Sequence, residues 1–283
     1  MNRILVPTDF SEISQNAFEV AVKIARKFDA EIYYLNIVEP SIIAGFSASG
    51  SFAADMVLTE DDRFILELHQ INKKKLINKV WETDTTDVGV YPCVTINQME
   101  SGILNFIDKY DIDLVVMGTS AENAYDEIFS GNHTEKIMRG SSCPVLAIKN
   151  SVEDFDINNI VIATSLNSND IKAMKYIKKI LAHFNPQVHL LHIATGSSIV
   201  IDDVNKKLNA FAKKHEIQNY TSNVIHHKDL KRGIYQFAKE INADIVTAFT
   251  HGRGGFSQYF NKNLCEDLVK EAHMPVLSVH LEY

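Results

Sequence analysis

Short apolar and β-branched runs alternate along this chain with longer stretches whose apolar residues recur at helical spacing. Strand-like runs fall near 2–7, 31–38, 88–94, 113–118 and 144–149. Between the first two, Ala17, Val20, Ala21, Ile24, Ala25 and Phe28 trace one face of a helix. Asn97, with Glu100 three residues later, reads as a capping box opening a helix that carries Ile103, Phe106 and Ile107. The plan then recurs, with strands near 159–164, 187–193, 222–227, 244–249 and 276–281. This alternation predicts an α/β fold: parallel strands joined by right-handed crossovers, with helices on both faces of the sheet. Leu114–Met117 and Ile160–Ala163 are apolar throughout, as strands buried on both sides are.

The recurrence is a true repeat. Gly102-Ile103-Leu104-Asn105-Phe106 matches Gly233-Ile234-Tyr235-Gln236-Phe237 at an offset of 131, and the same offset carries Asp113 to Asp244, Thr119 to Thr250, and Pro144-Val145-Leu146 to Pro275-Val276-Leu277. Nearer the start, Ile4-Leu5-Val6-Pro7-Thr8-Asp9 meets Ile160-Val161-Ile162-Ala163-Thr164-Ser165 at an offset of 156. The difference of 25 is an insertion in the first copy, after Pro40. Two domains are therefore expected, 1–150 with an insertion at about 41–65, and 151–283. The insertion reads as an ordinary surface loop, with a flap or partner-contact role as the alternative. A single all-parallel sheet of nine or ten strands would contradict the repeat.

Charge separates the copies. Of a formal net charge of −8, residues 1–150 hold 13 Lys and Arg against 22 Asp and Glu, while residues 151–283 hold 15 against 14. That acidic balance speaks against a nucleic-acid binder. No run of about 18 apolar residues suggests a membrane span. Cys93, Cys143 and Cys265, without a CxxC pair, argue against a disulfide framework or a structural zinc site. With Met1-Asn2-Arg3 leading directly into a strand, the expectation is a reduced, cytoplasmic protein. The second copy holds nine of the eleven histidines, yet adjacent His226 and His227 point to opposite faces of a strand, and no metal is expected.

In a doubly wound sheet, ligands settle beyond the carboxyl ends of the strands, where the winding reverses. Three segments of the first copy converge there: Pro7-Thr8-Asp9-Phe10-Ser11, Asn36-Ile37-Val38, and Met117-Gly118-Thr119-Ser120-Ala121 with the following Gly131-Asn132-His133-Thr134. A helix start there offers unpaired N–H groups to phosphate. The candidate nucleotide-binding residues are Pro7, Thr8, Asp9, Ile37, Met117, Gly118, Ala121, Gly131, Asn132, His133 and Thr134. The plainer reading has Gly118 and Gly131 serving turns and packing, and Asp9 capping the first helix. His251-Gly252-Arg253-Gly254-Gly255 is glycine-rich and basic but lacks the Lys-Ser/Thr of a P-loop.

A first strand ending Pro-Thr-Asp, a fourth ending Met-Gly-Thr and a final Cys-Pro-Val-Leu-Ala-Ile strand resemble the universal stress protein (UspA) family, twice over. The resemblance implies two flavodoxin-like (adenine nucleotide alpha hydrolase-like) domains. Each would be a five-stranded parallel sheet, joined through its last strand into a pseudo-dimer. It also implies a site for ATP or another adenine nucleotide with magnesium in members carrying G-x2-G-x9-G-[ST]. On the first copy that pattern falls on Gly118, Ala121, Gly131 and Asn132, with Asp9 placed for a ribose contact. On the second it falls on Phe249, Gly252, Lys262 and Asn263, with Ser165 for the aspartate. Ala121 adds a methyl where backbone should approach phosphate, so the first site is weakened; Phe249 closes the second.

The expectation is a non-catalytic stress-response module acting through protein partners or self-association, a homodimer of pseudo-dimers included. Two alternatives stand beside it. One is slow ATP hydrolysis in the first copy, with Asp9, Asn132 and Thr134 as helpers. The other is a structural or apolar-ligand module whose pocket is lined by 41–58.

Overall fold

The structure, a computed structural model, describes residues 1–39, 60–119, 131–151, 155–166, 168–195, 200–251, 268 and 274–281. Residues 40–59, most of the insertion expected at about 41–65, lie outside these residues, as do Ala121, the run 252–255, Lys262, Asn263, Cys265 and the side chain of Asn132.

Side-chain alternation in the strands sorts the molecule into layers. In β1 (Arg3–Pro7), Ile4 and Val6 join one core while Leu5 joins another across the sheet. The first core is closed by α1 (Glu12–Phe28), α2 (Glu60–Glu82), α5 (Ser168–Phe184) and α6 (Ile201–Lys214). The second is closed by α3 (Met99–Lys109), α4 (Gly131–Gly140) and α7 (Leu230–Glu240). Between them run β2 (Glu31–Val38), β3 (Val90–Ile96), β4 (Leu114–Gly118), β5 (Val145–Ile148), β6 (Asn159–Ala163), β7 (Gln187–Ala194), β8 (Tyr220–His226), β9 (Ile245–His251) and β10 (Val276–Leu281).

All ten strands form one sheet in the order β3-β2-β1-β4-β5-β10-β9-β6-β7-β8. It is not all-parallel. Every pairing within 3–148 and within 159–281 is parallel, and only β5 with β10 runs antiparallel. The two halves therefore share one strand order and meet back to back through their last strands, as the repeat requires.

Small details recur in both halves. Asp113 Oδ2 accepts the N–H groups of Asn2 (2.7 Å) and Arg3 (3.3 Å), and Asp244 Oδ2 does the same for Asn158 (2.8 Å) and Asn159 (2.7 Å). Each aspartate thus ties the entry of its fourth strand to the entry of its first. Gly102 and Gly233 also share a role. A Cβ on Gly102 would lie 2.8 Å from Ile37 Cδ1, and one on Gly233 would lie 3.1 Å from Ile193 Cδ1. Both helices can lie against the second strand only without that carbon.

The capping box does not form. Helix α3 begins with Gln98 as its N-cap and no side-chain cap bond. Asn97 Oδ1 instead accepts its neighbour's N–H, from Gln98 at 2.8 Å, and the Met99 N–H is taken by Glu39 Oε1 at 2.7 Å. The Glu100 carboxylate is instead held by His133 and Lys136 on α4 and by its own backbone N–H. Partners from distant elements override the local motif.

At the seam, Leu146 stands opposite Leu277 and Val145 opposite Ser278, all buried. Phe28 of α1 stacks on His183 of α5 with ring centroids 4.0 Å apart, and Lys179 of α5 reaches Asp113 at 3.3 Å. Burial works to raise the Asp113 pKa. The Asn2 N–H, Lys179 and the Arg3 N–H outweigh it and hold the carboxyl below its ordinary range.

Leu146→Ala and Leu277→Ala should each cost about 2–5 kcal/mol of unfolding free energy. Because the two residues stand directly opposite each other in one core, the double variant should depart from additivity by more than about 0.5 kcal/mol, read from urea unfolding. Strict additivity would contradict the seam. A second expectation concerns His215, whose buried Nε2 has no hydrogen-bond partner. Burial, with Lys178 and Lys214 nearby, holds this imidazole below its ordinary 6.5. The folded chain then binds that proton less readily than the unfolded chain, so stability falls as pH drops through 6.5. His189, held down by burial, acts in the same direction. His215→Leu should flatten the fall in unfolding free energy between about pH 7 and about pH 5. An unchanged slope would remove His215 from the account.

Candidate functional site

The winding of the first half reverses between β1 and β4, which are adjacent in the sheet. Helix α1 leaves β1 into one layer, and α4 follows β4 into the other. The crevice at this switch point opens beside the carboxyl ends of both strands. Thr8, followed by Asp9, and Thr119 are the residues that leave the sheet there.

A buried polar network builds the β1–α1 turn. Thr8 is 1% exposed. Its hydroxyl lies 2.9 Å from Ser14 Oγ, accepts from the Phe10 N–H at 3.0 Å and is within 3.3 Å of the Tyr34 hydroxyl. Asn36 Nδ2 donates to the Thr8 carbonyl at 2.8 Å, and Asn72 Nδ2 of α2 donates to Asn36 Oδ1 at 2.9 Å. Burial pushes the Tyr34 phenol up to about 12, so it stays a neutral donor. Phe10 adopts a φ of 69°, an uncommon left-handed conformation for an aromatic residue, and the Thr8 hydroxyl holds it there. Asp9 Oδ1 accepts the Ser11 N–H at 3.0 Å, while Ser11 itself is the N-cap of α1. Asp9 thus shapes the turn ahead of the helix, and Ser11 caps it. Lys75 lies 5.5 Å above the Phe10 ring, placing a cation beside the turn.

The other candidates divide. Met117 and Ile37 are buried in the core on the α3 and α4 side. Pro7 closes β1 in register with Leu35. A Cβ on Gly118 would come within 2.8 Å of the Ile13 carbonyl carbon and oxygen, so this glycine lets the first turn of α1 rest on β4. Gly131 opens α4. His133 Nδ1 lies 3.0 Å from Glu100 Oε1, and Lys136 Nζ also bonds Glu100, which fastens α4 to α3. The Lys136 bond is the main cause holding the Glu100 carboxyl low, helped by His133 against burial. Thr134, in the first turns of α4, is 1% exposed and its hydroxyl has no partner.

The second half keeps the frame and changes the chemistry. Thr164 N–H bonds the Leu191 carbonyl at 3.0 Å, as Thr8 N–H bonds that of Leu35 at 2.8 Å. Thr164 Oγ1 accepts from Leu166, whose φ is 61°. His192 Nδ1 faces the Thr164 carbonyl at 3.1 Å where Asn36 serves in the first half. Ser165 replaces Asp9. Phe249, at the Gly118 position, is 1% exposed and joins the α1 and α5 core. Its ring occupies the layer that Gly118 leaves open for a helix turn.

The residues fit an adenine nucleotide with magnesium only in part. In the first half Asp9 and the unpartnered Thr134 hydroxyl suit a polar ligand, but Gly118 is already committed to Ile13. In the second half the Phe249 ring and Ser165 do not fit one. Sequence reasoning missed Tyr34 and Asn72. Asn72 sits 36 residues from its partner Asn36, and no local pattern marks it. Cys143 is buried beside Ser141 and its thiol is pushed up to about 11 by burial, which leaves it an unreactive core residue. Among the described residues no helix is long and apolar enough to cross a membrane, and no group of three metal-ligating side chains gathers.

The Universal stress protein family model matches residues 1–149 and again 156–280. Universal stress protein MJ0531 of Methanocaldococcus jannaschii is 29% identical over 147 residues, covering 52% of this chain and 81% of that protein. Universal stress protein YxiE of Bacillus subtilis is 24% identical over 153 residues, covering 52% of this chain and 99% of that one. Among solved structures, a universal stress protein from Archaeoglobus fulgidus superposes with a TM-score of 0.71 at 15% identity, over 99% of this chain and 96% of that one. A functionally unknown protein, PA1789 of Pseudomonas aeruginosa, gives 0.65 at 13%, over 99% and 93%. At such identities the structural likeness speaks for the fold alone. The two family matches, laid on two halves that share strand order and turn geometry, place this chain in the universal stress protein family as a member with two tandem domains.

Proposed function

We propose that this chain is a non-catalytic stress-response module that acts through protein contacts and holds an adenine nucleotide weakly, in its first half only. The observation that carries the reading is the exchange of Gly118 for Phe249 at one position of a shared frame. Supporting it, Asp9 stands at the switch point of the first half and Ser165 at that of the second. The unpartnered Thr134 hydroxyl near the start of α4 is a buried polar group that a ligand would satisfy. Ala121, where the family pattern has glycine, supports weakness. The second half then serves as the rigid partner that completes the sheet.

Calorimetric titration with ATP and magnesium, repeated with ADP and AMP, should show about one weak site per chain. Asp9→Ala should lower the affinity about tenfold or more, the loss of one charge-assisted hydrogen bond. No ADP should accumulate on prolonged incubation. Steady ADP release abolished by Asp9→Ala would turn the reading to slow hydrolysis. Separately, Gly118→Ala should destabilise the fold by about 1–3 kcal/mol without any nucleotide present, because the new methyl meets the Ile13 backbone. A variant of wild-type stability would free Gly118 for a direct ligand role.

A further inference from the structure

Helix α2 turns an apolar row, Phe64, Ile71 and Trp81, away from the molecule. Its inner face is closed by Leu76, which is fully buried against β2 and β3. On its outside Phe64 is 64% exposed, Trp81 83%, Leu66 44%, Ile71 43% and Ile77 37%. The matching helix of the second half, α6, carries a single large exposed apolar residue, Ile201. The row therefore belongs to the first half alone and is not a by-product of the repeated fold. Isolated exposed apolar residues are ordinary, but a set of five on one helix marks a contact surface.

Spacing and charge both say what fits it. Phe64, Glu67, Ile71, Lys74, Asn78 and Trp81 follow one another at alternating steps of three and four, which sets them in one stripe along the helix, half of it polar. Along the same helix, residues 60–67 hold Glu60, Asp61, Asp62 and Glu67 against Arg63, whereas residues 73–79 hold Lys73, Lys74, Lys75 and Lys79. A helix acidic at one end and basic at the other is complementary to itself when reversed. A parallel copy would set like charge on like. We propose that α2 is the contact between two copies of this chain, packed antiparallel about a two-fold axis near Ile71. Glu67 of each copy then faces Lys74 of the other, Ile71 lies at the centre, and Phe64 packs within a turn of Ile77 and Trp81. The isologous geometry uses one patch per chain and closes as a dimer. With 23 residues, α2 offers a contact line about 34 Å long. The β5–β10 seam, already filled inside the chain, is left untouched.

Trp81 is the chain's one tryptophan, so its fluorescence reads this contact directly. Light scattering on the full chain should give twice 31.9 kDa at high concentration, and Trp81 emission should shift to the blue as concentration rises through the same transition. Ile71→Lys should leave circular dichroism unchanged, match the parent's thermal unfolding at concentrations where the parent is a single chain, return the mass to a single chain and hold the emission red at every concentration. Glu67→Lys and Lys74→Glu should each weaken self-association, and the two together in one chain should restore it. A single-chain mass at all concentrations would overturn the proposal. So would a dimer that persists in Ile71→Lys, or a double charge reversal no better than either single one.

Discussion

The antiparallel pairing of β5 with β10 is the constraint on which the rest of this structure hangs. Each half taken alone would end in a short, fully buried strand with one row of N–H and C=O groups left unpaired, an edge that proteins avoid exposing. Here each half supplies the missing neighbour for the other. Because the strands run opposite ways while Leu146 and Leu277 keep to the same face, the two α-helical layers continue across the seam without a break. Phe28 against His183 and Lys179 against Asp113 are consequences of that alignment.

Once the frame is shared, the halves differ in chemistry where the sheet winding reverses. The left-handed Phe10 and Leu166, the threonine hydroxyls that hold them and the aspartates tying strand entries together recur almost atom for atom. The glycine that lets α1 approach β4 in the first half has become a buried phenylalanine in the second. A buried ring stands in the second half where the first turn of α1 packs in the first. In the proposed reading one half holds a ligand and the other supports it, a division that a symmetric pair of identical chains could not make.

Much of this was legible in the sequence. The offsets of 131 and 156 marked the repeat, and the apolar runs marked the strands, because buried parallel strands tolerate little else. The apolar pattern sets β3 at 88–94, two residues early, since its partly exposed edge position blurs the signal. The Asn97–Glu100 motif misled because its carboxylate has a stronger offer from Lys136 and His133, contacts that only the tertiary fold creates. Met117 and Ile37 belong to the segments that reach the mouth but are buried in the core, since alternation sends neighbouring residues to opposite faces. The contacts of Tyr34 and Asn72 could not be read beforehand, because they join the β1–α1 turn to β2 and β2 to a helix beyond the insertion.

The division between a ligand-holding half and a supporting half is tested most directly by amide hydrogen exchange with and without saturating ATP and magnesium. The account predicts slowed exchange at residues 8–14 and at the start of α4, with the equivalent turn at 164–168 unchanged. Slowing confined to the second half, or shared equally by both, would contradict it.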